Sequence, residues 1–267
     1  MRRGGRWALA VLVAAAVATG AVVGARSLVH HAVPPPPFCQ VGAGSAGLIL
    51  LPEQAANATT IAAVARRERL PLQAVTIALA TALQESKLHN YPFGDRDSLG
   101  LFQQRPSQGW GRPAQLLTPS YAATAFFRHL VAVPHWRALP VAAAAQAVQR
   151  SADGTAYSQW EEPARAVARA LTGRVPAGMT CQYTHVEPPR PAALTALAQR
   201  ELGPQALGGV SGSSRDDWTV AEWLVAHAQP YGVVAVTVRA HRWEHASGRW
   251  VRDSSVGTAA HFVLARR

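Results

Sequence analysis

The chain's clearest periodicity is in LPLQAVTIALATALQES, residues 70–86, where Val75, Ile77, Ala78, Leu79, Ala82 and Leu83 wind round most of a helical circumference. A helix apolar on nearly every side is a buried helix, and Pro71 is tolerated in its first turn. The pattern predicts a helix over 72–89, flanked by helices over 53–69, 119–132, 141–150 and 157–171. Between the second and third of these, Gly, Pro, Asp and Ser crowd into YPFGDRDSLGLFQQRPSQGWG, the composition of a loop or short strand.

Beyond YTHVEPPRP, residues 183–191, the period changes. Helices are expected over 192–202 and 219–228. YGVVAVTVRAHRW then alternates, with Val234, Val236 and Val238 on one face and Thr237 and Arg239 on the other, which is a strand signature. HASG reads as a turn, RWVRDS as the returning strand and AHFVLA as a third. Trp218, Trp223, Trp243 and Trp250 of this small α+β module could stack on sugar rings or fill its core.

At the other end, MRRGGR precedes an uncharged apolar run over 7–24 of membrane-spanning length. Positive charge before the run predicts a cytoplasmic tip and an exported remainder. The run reads as an uncleaved anchor, with a signal peptide as the alternative. VPPPPF follows as a stiff spacer. Export agrees with the cysteine usage: Cys39 and Cys181 are the only two, and an oxidising compartment favours one disulfide over two free thiols. The organisation expected is a tip and anchor over 1–25, a Pro-rich linker over 26–52, a helical domain over 53–181, a linker over 182–190 and the α+β module over 191–267.

The net charge of +11 comes from 26 Lys+Arg against 15 Asp+Glu. Lys87 is the only lysine, and the arginines are scattered rather than gathered into a nucleic-acid-binding run. Such a charge suits attraction to an anionic wall. No cofactor or metal is expected, since two cysteines without a His cluster make a poor metal site.

Residues 70–150 hold only three carboxylates, Glu85, Asp95 and Asp97, so any acid chemistry there draws on these. Glu85 ends the buried helix. The negative pole of the helix and partial desolvation both favour a carboxyl that keeps its proton; the competing reading is an ion pair with Lys87 or an arginine. Asp95 and Asp97 both sit in a turn sequence: Asp95 reads equally as a working carboxylate and as a turn-capping residue, and Asp97 as a cap or turn residue. Ser98, Gln103, Gln104 and Gln108 offer uncharged hydrogen-bonding groups, and Tyr91, Phe93, Phe102 and Trp110 offer apolar faces. That set suits a neutral glycan better than a phosphate, and the region has no Gly-rich phosphate loop, Ser nucleophile elbow or HExxH.

Gln84-Glu85-Ser86 followed by Ser98-Leu99-Gly100-Leu101-Phe102-Gln103 resembles the paired E-S and G-L-M-Q motifs of soluble lytic transglycosylases. GDRDSLGLFQ is similar to goose-type lysozyme, AAAAQAVQRS sits where those families carry A-Y-N-A-G, and Tyr157 falls near their later active-site tyrosine. The resemblance spans about 53–171 and is to the lysozyme-like domain of exported actinobacterial proteins. Two departures stand out: Phe102 replaces Met, and Gln149-Arg150-Ser151 replaces Asn-Ala-Gly.

The resemblance implies a mainly α, lysozyme-like fold and cleavage of peptidoglycan glycan strands in the cell envelope. In it Glu85 is the general acid, Ser86 orients its neighbours, and Gln103 and Tyr157 bond the N-acetyl group or Glu85. Ser98 and Gln104 are further candidate substrate contacts. Asp95 matches the second-carboxylate region of goose-type enzymes. The alternatives are a muramidase using Asp95 and a wall-binding scaffold without turnover.

Overall fold

The computed structural model describes residues 35–150, 155–208 and 213–266. The expected anchor over 7–24 lies outside them, and no helix among the described residues is long and apolar enough to cross a membrane. From Pro37 onward the chain forms one compact unit.

It is mainly helical, with a small antiparallel sheet at its carboxyl end. In chain order it contains β1 (Phe38–Val41), β2 (Leu48–Leu50), α1 (Pro52–Arg67), α2 (Leu72–Ser86), α3 (Pro113–Leu116), α4 (Pro119–Ala132) and α5 (Val141–Gln149). A 3-10 turn (Thr155–Trp160), α6 (Glu161–Arg169), a π-turn (Ala170–Arg174) and β3 (Met179–Gln182) follow. The remainder is α7 (Pro191–Glu201), α8 (Ser214–Ala226), α9 (Ala228–Tyr231) and strands β4 (Val233–Val238), β5 (His241–Glu244), β6 (Arg249–Arg252) and β7 (His261–Leu264).

α2 is the central helix. Every residue from Ala74 to Leu83 is buried, and α1, α4, α5 and α6 surround it. Thr76 and Thr81 would be costly there unpaired. Each instead donates its hydroxyl to the carbonyl one turn back, Leu72 and Ile77 respectively. The helix stops at Ser86, short of the expected His89, because Lys87 and Leu88 both turn left-handed. The helix expected over 157–171 is likewise divided into the 3-10 turn, α6 and the π-turn.

Residues 38–50, counted within a linker on composition, form β1 and β2, and β3 pairs with the other side of β1. In that ladder Cys39 stands opposite Cys181, and the two are joined as a disulfide, both fully buried.

The second sheet has order β6-β5-β4-β7. YGVVAVTVRAHRW is two strands, because Arg239 and Ala240 both take left-handed conformations and turn the chain back. A register shift between Val233 and Ala235 changes the alternation, so Val234 is only half-buried while Val236 and Val238 are buried. Trp218, Trp223 and Trp243 are core residues, and half-buried Trp250 donates its indole N–H to Met179 O at 2.8 Å.

The helical region and the carboxyl-terminal segments share one buried core. Glu201 Oε2 accepts from Thr60 Oγ1 at 2.9 Å and Trp223 Nε1 at 2.7 Å, linking α7 to α1 and α8. Segment 182–190, read from its prolines as a linker, is tied along its length. Tyr183 donates to Val225 O at 2.7 Å, Glu187 N–H to Gln229 O at 2.8 Å and Arg190 N–H to Tyr231 O at 3.3 Å.

Glu222 on α8 is wholly buried, accepts from Gly178 N–H at 3.0 Å, and leaves Oε2 without a partner among the described residues. Burial pushes its carboxyl well above the usual 4.5, only partly offset by the backbone N–H groups of Gly178 and Met179. The native state therefore keeps a proton that the unfolded chain gives up, so stability is full at low pH and falls as pH rises from about 4.5 toward the native value. Glu222→Gln, neutral throughout, is expected to raise the unfolding temperature by several degrees at pH 8 and to change it little at pH 4. An equal shift at both pH values in thermal unfolding would contradict the assignment.

Candidate active site

The end of α2 is held from three directions. Leu88 N–H returns to Ala82 O at 3.1 Å, while α1 satisfies the outward carbonyls: Gln54 Nε2 donates to Lys87 O at 2.7 Å and Asn57 Nδ2 to Leu88 O at 2.8 Å. Capping of this kind satisfies carbonyls that a helix end leaves orphaned. Ser86 is buried, its Oγ 2.8 Å from Leu101 O and 3.1 Å from Ala82 O. Ser86, expected to orient its neighbours, fastens the helix end to the following loop.

Glu85, one residue earlier, is half-buried. Its Oε1 accepts from the Tyr157 hydroxyl at 2.6 Å, and no salt bridge to Glu85 exists among the described residues. Lys87, the nearest basic residue in sequence, lies over the Trp160 ring at 4.3 Å. Tyr157 is buried on the 3-10 turn, so its hydroxyl is aimed by packing. One carboxyl oxygen is thus committed to Tyr157.

Tyr157→Phe keeps the buried ring and removes the hydrogen bond that its hydroxyl donates to Glu85, a contribution of about 0.5–1.5 kcal/mol. If Glu85 reacts, kcat for glycan cleavage should fall roughly 2- to 10-fold with KM less affected. Kinetics on soluble glycan fragments, with unfolding temperature as control, check this; a lowered unfolding temperature with unchanged kcat would make Tyr157 structural only.

The loop after α2 closes on itself through paired backbone bonds between Leu99 and Gln104, both 3.0 Å. Gly100 has φ 75°, and a Cβ there would come within 2.4 Å of Leu116 O, so this position requires glycine. Leu101 and Phe102 are driven into the core, Phe102 stacking on Phe126 with centroids 4.6 Å apart. Phe102 therefore offers no face to a sugar.

Gln103, left-handed at φ 46°, turns its amide back so that Nε2 reaches Gly100 O at 3.2 Å and Phe93 O at 3.4 Å. It does not bond Glu85. Gln104 is buried and donates to Ala122 O at 3.2 Å, and Ser98 is buried as well. Neither faces solvent as a glycan contact would.

The other two acids part company. Asp97 accepts from Arg105 Nε at 2.7 Å and Ser107 N–H at 2.8 Å; these bonds hold its carboxyl well below the usual carboxylate range and pin the loop. Asp95 has a side chain 94% exposed in a turn, with Arg96 Nε at 3.9 Å from its carboxylate. Neither hydrogen-bonds Glu85 or Tyr157.

Features that sequence reasoning undervalued complete the surroundings. Gln149, where the families that the sequence resembles carry Asn, donates to Phe102 O at 2.7 Å and so supports the same loop from α5. Beside it opens a cavity of about 380 Å³ lined by Gln108, Trp110, His129, Val148, Gln149 and Arg150. Trp110 and His129 lie with ring centroids 4.0 Å apart. Gln84 accepts from Trp160 Nε1 at 2.8 Å and Gln159 Nε2 at 3.2 Å. After the helix end, His89, Tyr91 and Phe93 form a ladder with centroid spacings of 5.1 and 5.4 Å, and Phe93 is 68% exposed. Tyr91, Phe93, Gln108 and Trp110 were already singled out in the sequence, whereas His129 and Trp160 carried no signal there.

No protein-family model matches this chain, and the search of curated proteins returns no match, so the residues themselves carry the functional reading.

Proposed function

We propose that this chain cleaves the glycan strands of peptidoglycan by a lytic-transglycosylase-type reaction with Glu85 as its acid and base. One observation carries the reading: Glu85 is a half-buried carboxyl at the end of a buried helix, bonded by the Tyr157 hydroxyl, while Asp97 is engaged elsewhere and Asp95 is exposed. The motif resemblance, the exposed aromatic ladder and the cavity beside Gln149 support a glycan as substrate.

In this mechanism Glu85 protonates the glycosidic oxygen as the C1–O bond breaks. The carbonyl oxygen of the sugar's own acetamido group bonds to C1 and carries the cation. The 6-hydroxyl oxygen then attacks C1, the acetamido oxygen leaves, and the Glu85 carboxylate takes the hydroxyl proton. No water is consumed, and the new end is a 1,6-anhydro sugar. A hydrolase would need a second carboxylate at one of two fixed separations from the first, and Asp95 is the remaining candidate.

The test is digestion of purified peptidoglycan with products read by mass spectrometry. Anhydro-ended muropeptides are expected, with Asp95→Asn keeping activity within roughly twofold of wild type, the range of a surface residue outside the chemistry. Reducing-end muramic acid together with an inactive Asp95→Asn would replace the mechanism by the hydrolytic one. Binding to the wall without any product would leave the scaffold reading. The same proposal places the chain in the cell envelope, anchored through residues 7–24.

A further inference from the structure

At the far end of α2 from Glu85, ~20 Å along the helix axis by its rise per residue, lies a second cavity. It has a volume of about 310 Å³ and is bounded by the end of α1, the start of α2, the π-turn and the first turn of α8. Its lining includes four arginines, Arg66, Arg69, Arg174 and Arg215, against one carboxylate, Asp216. Arg66 is satisfied, donating to Asp216 at 2.7 Å and to Leu202 O at 3.1 Å. Arg69, Arg174 and Arg215 are exposed, and their guanidinium groups have no hydrogen-bond acceptor among the described residues. Buried Val75 and half-buried Leu72 supply an apolar wall.

The backbone holds these charges together. Gly173 has φ 63°, and a Cβ there would meet Arg215 O at 2.2 Å, so the π-turn is pressed against the first turn of α8. Arg174 follows directly, which sets its guanidinium in the field of Arg215. Partial burial, then Arg215 and Arg169, hold Arg174 below the usual arginine value. Like charges gathered around a concavity repel until an anion fills it.

We propose that this cavity binds the phosphate group of a small ligand or lipid headgroup, at a site separate from the glycan-cleaving residues. Guanidinium forks match phosphate oxygens in pairs, and three unpaired forks facing one cavity favour phosphate over a single carboxylate. The apolar wall has room for a short organic body such as glycerol.

The test uses the full-length chain and thermal unfolding at constant ionic strength, with inorganic phosphate, glycerol 3-phosphate and acetate as probes. A ligand that binds only the native state raises the unfolding temperature saturably. The expected result is a saturable rise with both phosphates, none with acetate, and loss of the response in Arg174→Gln/Arg215→Gln. Because that variant could perturb the fold, arginine Nε–H NMR shifts of Arg174 and Arg215 in the wild-type chain, saturating with glycerol 3-phosphate, give an independent reading.

No saturable response, an equal response in the variant, or an equal response to acetate would overturn the proposal. Phosphatidylglycerol vesicles separate the sources. Vesicle binding that glycerol 3-phosphate competes away, and that the double variant weakens, assigns a lipid headgroup; vesicle binding indifferent to both assigns a soluble phosphate. Neither readout depends on glycan cleavage, so the site stands or falls apart from the function proposed for Glu85.

Discussion

Glu85→Gln should abolish glycan cleavage while leaving the fold intact, with a rate loss of at least roughly 10²-fold, the usual scale for removing a general acid. The substitution is nearly isosteric, and its carbonyl can still accept from Tyr157, which sits 2.6 Å from Glu85 Oε1. Among the described residues Glu85 takes part in no salt bridge that neutralising it would break. In the proposed mechanism, what disappears is the exchangeable proton that the leaving oxygen needs. Muropeptide release measured beside the unfolding temperature separates the outcomes: wild-type rates would remove Glu85 from the chemistry, and a melted fold would make it structural.

Removing the disulfide should produce the largest change in stability. Cys39 and Cys181 are partners in the β1–β3 ladder, fully buried, and 142 positions apart in a stretch that includes Glu85, Tyr157 and the whole of α2. In the loop-entropy model, closing so long a loop contributes about 5 kcal/mol. Typical domains have a net stability of only about 5–15 kcal/mol. A Cys39→Ala/Cys181→Ala variant, or the reduced wild-type chain, should therefore unfold at a markedly lower urea concentration. An unchanged urea midpoint would mean that the paired strands and the shared core already confine the chain without the bond.

Local period located most of the longer helices, though not the breaks at Lys87 and within 157–171 or the short α3. The apolar winding of α2, the prolines opening α1, α4 and α7, and the switch to alternation after Tyr231 are short-range features, and the elements formed where those features lay. The paired cysteines were legible because redox chemistry needs no coordinates. Glu85 was singled out because a charged group terminating an otherwise apolar helix is an inconsistency visible in the string itself.

Tertiary structure decided which way side chains face. Gln103, Gln104 and Ser98 looked equivalent as polar groups, yet the left-handed backbone at Gln103 and the Leu99–Gln104 pairing turn Gln104 inward while Ser98 is buried. The Arg239–Ala240 hairpin was hidden because it lacks the Asn-Gly or Asp-Gly that usually marks such a turn. β1 and β3 were missed because short strands paired across most of the helical region leave no local period. The arginine-lined cavity draws on Arg66, Arg69, Arg174 and Arg215, scattered in sequence and adjacent only because Gly173 lets the π-turn close on α8. Periodicity reports the environment of a segment averaged over its turns, whereas a site depends on single side-chain directions set by contacts distant in sequence.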